Sequence, residues 1–270
     1  MPQFHHDGLN FNYQDTGEGT PFVFQHGLGG DVQQPFGLFR PPRGFRLLAF
    51  DCRGHGQTRP LGDPEKIGMA FYADDLLAFL DWLHLPQAIV GGISMGAAVA
   101  LNFTLRYPQR VLGLVLSRAA WLAGPMPENA RIFSEIAGLI REHGASKGES
   151  VFKQSPAYHE IARQSPDAAE SLLVQFRNPR AEETFAKLER IPRDAPLRDL
   201  RDLGRIGVPT LVLANRQDPI HPFDYGPELA RLIPGAEFQE ITPKSVSKEQ
   251  HAADVQRFVG DFLQRRFSRT

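Results

Sequence analysis

Gly92-Ile93-Ser94-Met95-Gly96 sets a serine between two glycines in a G-x-S-x-G pattern. An apolar run, Ala88 to Gly92, leads into it, and a small-residue, helix-compatible run, Ala97 to Tyr107, leads out. That strand–turn–helix setting is what a nucleophile elbow requires. The spacing has a steric reason. A sharp turn lifts the serine oxygen above the sheet edge, and the backbone passes too close to its neighbours for side chains at either glycine. Amides at the helix N-terminus, that of Met95 included, then point to where negative charge builds up on an attacked carbonyl. The implied chemistry is acyl transfer through serine, which needs an adjacent base and a third group to orient that base. A glycine-rich turn or a weak phosphate loop has the same spelling, so the surrounding chain must decide.

The 270 residues suffice for one large α/β domain or two small ones, with ample length for a buried core. A net charge of -1 favours neither nucleic acid nor an anionic membrane as partner. The single cysteine, Cys52, has no internal partner for a disulfide, which fits a reducing compartment. Met1-Pro2-Gln3-Phe4-His5-His6 lacks the basic-then-apolar order of a secretory signal, and no apolar run reaches membrane-spanning length. A soluble, cytoplasmic protein acting on a small molecule, as a monomer or homodimer, is the expectation.

The elements that position Ser94 follow from periodicity. Leu9 to Tyr13 alternates, and Asp15 to Gly19 supplies turn chemistry, which reads as the hairpin edge of a sheet. Pro21–Phe24, Arg46–Phe50, Ala88–Gly92 and Val111–Leu116 are short apolar runs expected of buried strands. Phe71, Leu76, Leu77, Leu80 and Leu83 recur at helical spacing before the Ser94 strand. Strands and helices alternating in this way argue for a mostly parallel, doubly wound sheet. The rhythm stops over residues 119–204. Ile132, Phe133, Ile136, Leu139 and Ile140 form a helical stripe that should end near Gly144, and Ser165-Pro166 reads as an N-cap followed by proline in the first turn. This region reads as an inserted helical cap between core segments 1–118 and 205–270. The strand pattern resumes at Pro209–Ala214 and Glu237–Ile241, with a closing helix from Lys248 to Phe267.

These pieces resemble the α/β-hydrolase family over nearly the whole chain outside the cap. The resemblance rests on His26-Gly27-Leu28-Gly29-Gly30, Asp51-x-Arg53-Gly54-His55-Gly56-x-Thr58, Gly92 to Gly96, Arg106-Tyr107-Pro108-x-Arg110-Val111 and Asn215-x-x-Asp218-Pro219-Ile220-x-Pro222. It implies Ser94 as nucleophile, Asp218 as the acid, and the amides of Leu28 and Met95 as the oxyanion hole. Serine at the elbow speaks against the branches that attack through a carboxylate. His26, Arg53 and His55 read as residues fixing their loops, and Cys52 as a small buried residue.

The histidine departs from the family pattern. Relatives offer Gly-His just beyond the last strand, whereas this chain has Thr242-Pro243-Lys244-Ser245-Val246-Ser247. His251 is the first histidine available, inside a helix that Ser247 and Gln250 should cap, and Ser94, Asp218, His251 preserves the family's chain order. His221, three residues beyond Asp218, competes for the same role, and a site without a working base also fits. Lys244-Ser245 stands where the histidine is missing, with no mechanism attached. Arg118, closing the Val111–Leu116 strand, could pair with a substrate carboxylate while Trp121 holds an apolar body. It could equally bridge to an acidic residue of the cap.

The resemblance therefore implies hydrolysis of an ester, lactone, thioester or carbon–carbon bond through an acyl-serine, with no metal or organic cofactor. Esterases, enol-lactonases and ring-fission-product hydrolases are the kinds of enzyme in view. Two other readings use the same residues: a ligand-binding protein without hydrolysis, and a cofactor-free oxygenase or perhydrolase.

Overall fold

The computed structural model describes residues 1–268. Its strands are β1 (Gln3–His6), β2 (Leu9–Gly17), β3 (Thr20–Gln25), β4 (Phe45–Phe50), β5 (Ala88–Ile93), β6 (Val111–Ser117), β7 (Thr210–Ala214) and β8 (Glu237–Glu240). Its helices are α1 (Gln33–Leu38), α2 (Met69–Trp82), α3 (Met95–Arg106), α4 (Arg131–Phe152), α5 (Pro156–Gln164), α6 (Pro166–Arg177), α7 (Ala181–Thr184), α8 (Ala186–Arg190), α9 (Tyr225–Leu232) and α10 (Lys248–Phe267). The strands form one eight-stranded sheet in the order β1-β2-β4-β3-β5-β6-β7-β8. β1 and β2 pair antiparallel, β2 joins β4 antiparallel, and every later pairing is parallel.

Alternation along the inner strands assigns the two faces. Val23, Leu48, Phe50, Val90, Leu114 and Val212 pack with apolar residues of α2, α3 and α9. Phe22, Phe24, Leu47, Ile89, Val115 and Leu211 turn the other way, onto Val255, Val259 and Phe262 of α10. Burial on both faces explains why these strands read as unbroken apolar runs.

The edge of the sheet differs from the sequence expectation. The hairpin turns at Asp7-Gly8, both at positive φ (48° and 75°), and not over residues 15–19. Asp15, Thr16 and Gly17 continue β2 opposite Leu48, Leu47 and Arg46. Arg46 donates to both Asp15 oxygens, at 2.8 and 2.6 Å, so a cross-strand ion pair recruits residues whose own preference is for a turn.

Between β6 and β7 the described residues are helical and contain no strand. Ser165 caps α6 as expected, its Oγ accepting from Ala168 N at 3.3 Å with Pro166 in the first turn. The stop expected at Gly144 is a kink instead: Gly144 leaves the helical region (φ 75°, ψ 168°), and the helix resumes with Ala145 N donating to Glu182 Oε1 at 3.0 Å.

Phe50 is fully buried, with Phe4, Phe11 and Phe79 around it at ring-centroid distances of 5.5, 5.8 and 5.1 Å. Phe50→Ala should cost about 3–5 kcal/mol, the range for emptying an aromatic site in a core that cannot collapse. Urea midpoints of the two proteins check this, and a loss under about 1 kcal/mol would mean that the cluster repacks.

Candidate active site

β5 delivers Ser94 to the sheet edge and α3 begins at the next residue. Ser94 sits at φ 55°, ψ -111°, a region that non-glycine residues avoid and that is held here by the surrounding structure. Its N–H donates to Ser117 O at 2.9 Å and its carbonyl accepts from Ala98 N at 3.1 Å. A Cβ on Gly92 would collide with the backbone of Gly96, and one on Gly96 with the carbonyl of Gln25. The elbow needs both glycines. The Ser94 hydroxyl does not cap α3 and so remains free for chemistry.

The segment after β3 is fixed from below. His26 is fully buried; its Nδ1 donates to Gly27 O at 2.8 Å and its Nε2 accepts from Cys52 N at 3.1 Å. Gln34 Oε1 takes the Gly27 N–H at 2.7 Å, His55 Nε2 lies 3.0 Å from Leu28 O, and Asp51 Oδ1 takes the Val32 N–H at 2.7 Å. The other Asp51 oxygen accepts from Asn12 Nδ2 at 2.8 Å and Gln57 N at 2.7 Å. Burial holds His26 and His55 neutral, and pushes the Cys52 thiol up, away from the reactive thiolate. Arg53 is engaged by Asp75 and Asp7.

Two basic side chains from the helical segment close on the same loop. Lys187 of α8 donates to Gly54 O at 2.9 Å, and Arg180 donates to Gly56 O and Thr58 O at 3.2 and 3.0 Å.

Asp218, in the loop after β7, is surrounded by donors. Arg118 reaches its Oδ2 through Nη2 (2.5 Å) and Nε (3.2 Å), and His221 Nδ1 lies 2.9 Å from the same oxygen. Oδ1 accepts the backbone N–H groups of Ile220 and His221, at 3.1 and 3.2 Å. Burial works against ionisation of Asp218, but the hydrogen bond from His221 and the charge and hydrogen bonds of Arg118 outweigh it and hold the carboxyl far below the usual range. Arg118 Nη2 also lies 3.1 Å from His221 Nδ1, but the nearer carboxylate oxygen only accepts, so the tautomer that satisfies Asp218 carries its proton on Nδ1 and its lone pair on Nε2. Burial lowers the pKa of His221, with Arg118 adding to it and Asp218 opposing, which favours the neutral ring.

Ser94, Leu28, Arg118, His221 and Lys244 line one cavity of about 240 Å³, closed from the helical segment by Phe133, Asp167, Val174 and Gln175. Three sequence expectations meet a different arrangement. The hydrogen bond expected between Asp218 and His251 is not formed: His251 lies in the first turn of α10 with its Nδ1 2.8 Å from Thr242 O. Its Nε2 is buried without a partner, and burial, helped by Arg118 and Lys244, pushes its pKa down to about 4. Arg118, which lines the cavity, pairs with Asp218, a core residue, and not with a cap acid. Trp121 is 2 % exposed and turns away from the cavity, into apolar neighbours including Ala97, Leu101 and Leu229. The capping of α10 is half as expected, since Ser247 Oγ accepts from Gln250 N while the Gln250 side chain goes to Asp254.

The model for the alpha/beta hydrolase fold matches residues 20–245, most of the chain. The chain belongs to the α/β-hydrolase family. Among curated α/β-hydrolases it is 30% identical over 231 residues to the AB hydrolase superfamily protein YisY of Bacillus subtilis, covering 83% of this chain and 84% of that one. It is 27% identical over 267 residues to a 2-hydroxymuconate semialdehyde hydrolase of Pseudomonas putida, covering 95% and 91%. The enol-lactonase of Burkholderia xenovorans LB400 superposes with a TM-score of 0.74 at 24% identity, over 97% of this chain and 100% of that one, a likeness of fold. As an α/β-hydrolase with such relatives, the protein is a hydrolase. No helix among the described residues is long and apolar enough to cross a membrane, and no group of metal-ligating side chains comes together among them.

Proposed function

We propose that this hydrolase cleaves a carboxylic ester or a related acyl bond (lactone, thioester or carbon–carbon) through an acyl-enzyme on Ser94, with His221 as the base and Asp218 orienting it. The observation that carries this reading is the shared cavity of about 240 Å³, walled by both Ser94 and an imidazole whose Nδ1 is tied to Asp218. Neutral His221 takes the Ser94 proton at Nε2 as Oγ bonds to the substrate carbonyl carbon. The oxyanion is held by the amides of Met95, unpaired at the start of α3, and Leu28. The proton returns to the leaving group, the acyl bond breaks, and water attacks the acyl-serine with His221 again taking the proton. Residues 119–204 act as the cap that excludes bulk water and shapes the acyl site.

A fluorophosphonate probe and a 4-nitrophenyl ester test the assignment. Wild type should label at Ser94 and turn over the ester. His221→Gln should slow both by about 10²–10⁴-fold, the usual contribution of a general base. His251→Asn, which keeps a donor for Thr242 O, should stay within about tenfold of wild type, since it removes no proton-transfer group. Loss in His251→Asn but not in His221→Gln would move the base to His251, whose buried Nε2 has a free lone pair. No labelling of wild type would favour the ligand-binding reading.

A further inference from the structure

We infer that the acyl substrate carries a second, ionised carboxylate, and that Lys244 is the residue that holds it. The inference rests on the acyl-transfer reading only for the other end of the substrate, the carbonyl facing Ser94.

The charges around the cavity are paired except for one. Arg118 is committed to Asp218, and Asp167 to Lys248 at 2.8 Å. Lys244 lines the cavity and forms no ion pair among the described residues. Its position is not an accident of a loose loop. Thr242 N and Oγ1 both donate to Asp254 Oδ2, at 2.8 and 2.7 Å, Thr242 O takes the His251 Nδ1 proton, and Ser245 Oγ reaches Gln217 Oε1 at 3.1 Å. Thr242 thus pins the backbone before Lys244, and Val246 N and Ser247 N pin it after, donating to Pro243 O at 3.0 and 3.1 Å, while the ammonium is left without an ion-pair partner. A half-buried cation held in this way is unfavourable until an anion joins it. One unpaired positive charge matches a monoanion. A dianionic phosphate would meet Asp167 and Asp218 nearby with a surplus negative charge. The cavity volume admits a short acyl chain with the carboxylate at its far end.

An anion there also bears on the chemistry. The charge of Lys244 disfavours protonation of His221. Neutralising Lys244 with substrate carboxylate removes that opposition at the moment His221 must accept the Ser94 proton. The same substrate group that gives binding thus raises turnover.

The pH dependence separates this role from the alternative, Lys244 as the base. The groups facing Lys244 are Arg118 from the residue after β6, Asp218 and His221 from the loop after β7, Asp167 from α6, and Lys248 and His251 from α10. Burial, with Arg118 adding to it, lowers the Lys244 pKa to about 8. An anchoring ammonium loses its hold as pH rises through that value, whereas a basic amine gains activity there.

The test compares mono-4-nitrophenyl glutarate with 4-nitrophenyl pentanoate, whose acyl chains differ in a terminal carboxylate against a methyl. Wild type should prefer the glutarate ester, with kcat/KM for it declining above about pH 8 and no such decline for the pentanoate. Lys244→Met should lower the glutarate-to-pentanoate ratio by about 10–100-fold, the worth of a charge-assisted contact, and Lys244→Arg should retain most of it. Calorimetric titration of Ser94→Ala with glutarate reads the anchor without turnover, and the added Lys244→Met should abolish that binding. Equal use of both esters by wild type with no glutarate binding overturns the anchor and leaves the acyl-transfer reading standing. Glutarate binding without hydrolysis of either ester sinks the acyl-transfer reading instead. A parallel fall on both esters in Lys244→Met, with activity rising through pH 8 in wild type, makes Lys244 the base and ends the proposal.

Discussion

Ser94→Ala is expected to lower kcat on an activated ester by about 10⁴–10⁶-fold and to abolish covalent labelling by a fluorophosphonate. The residual rate would be that of binding and the oxyanion amides alone, which the substitution leaves in place. The protein should stay folded, because alanine keeps the Cβ and the Ser94 hydroxyl supports no hydrogen bond of the α3 cap. Ser94→Gly would be informative beside it. Glycine accepts the φ of 55° without strain, so this variant should be inactive and slightly more stable than Ser94→Ala, by about 1 kcal/mol. Retained ester turnover in Ser94→Ala would end the nucleophile assignment.

Lys187→Met should raise stability at neutral and lower pH and flatten its rise toward alkaline pH. Lys187 is 3 % exposed, with a single hydrogen bond, to Gly54 O. Burial is the main cause of its pKa falling from 10.5 to about 7, with Arg180 adding to it and Cys52, Asp51 and Glu183 opposing. The sign follows from proton counting. Between about pH 7 and 10.5 the unfolded chain holds a proton on this amine that the folded chain has released, so stability rises with pH across that window. Below it both states are protonated and the cost of the buried charge is constant, on the order of 5 kcal/mol relative to the alkaline limit. Methionine fills similar space without a charge, at a loss of about 1–3 kcal/mol for the carbonyl left without its donor. Urea midpoints at half-unit pH steps for both proteins, taken as a difference, remove contributions from other groups that titrate there. Parallel curves would mean that the Lys187 pKa is not depressed.

The core was readable because its strands are buried on both faces. Runs such as Val111–Leu116 have no polar alternative, and the two elbow glycines answer to backbone contacts that the motif spacing already implies. Asp15, Thr16 and Gly17 were misread as turn residues because Asp15 is recruited into β2 by Arg46, which is distant in sequence, and only Glu18 and Gly19 bend the chain into β3. The histidine that partners Asp218 was harder to place. Chain order points to His251, but the carbonyl that holds its ring belongs to Thr242, and no periodicity in the sequence reveals that contact. His221 could have been found from Asp-Pro-Ile-His, where the aspartate that orders the turn also lies within reach of the ring. Arg118 was legible as a cation at the active edge, whereas its partner was not. The cavity walls from α4 and α6 stayed hidden, since a helical stripe says that a face is buried and not what lies opposite it.

The contacts of Lys187 and Arg180 with the carbonyls of residues 54, 56 and 58 reach further than the loop they touch. That loop carries His55 beneath Leu28 and Asp51 beneath Val32. The helical segment and the loop that carries Leu28 thus share one framework, and exchange between them in evolution is constrained. A chimera that receives this segment from a distant relative, without Lys187 and Arg180 or the matching loop, would inherit a new cavity wall together with a displaced Leu28 amide. Swaps that move residues 51–58 along with the helices should give active hybrids, and swaps of the helices alone should give folded, sluggish ones.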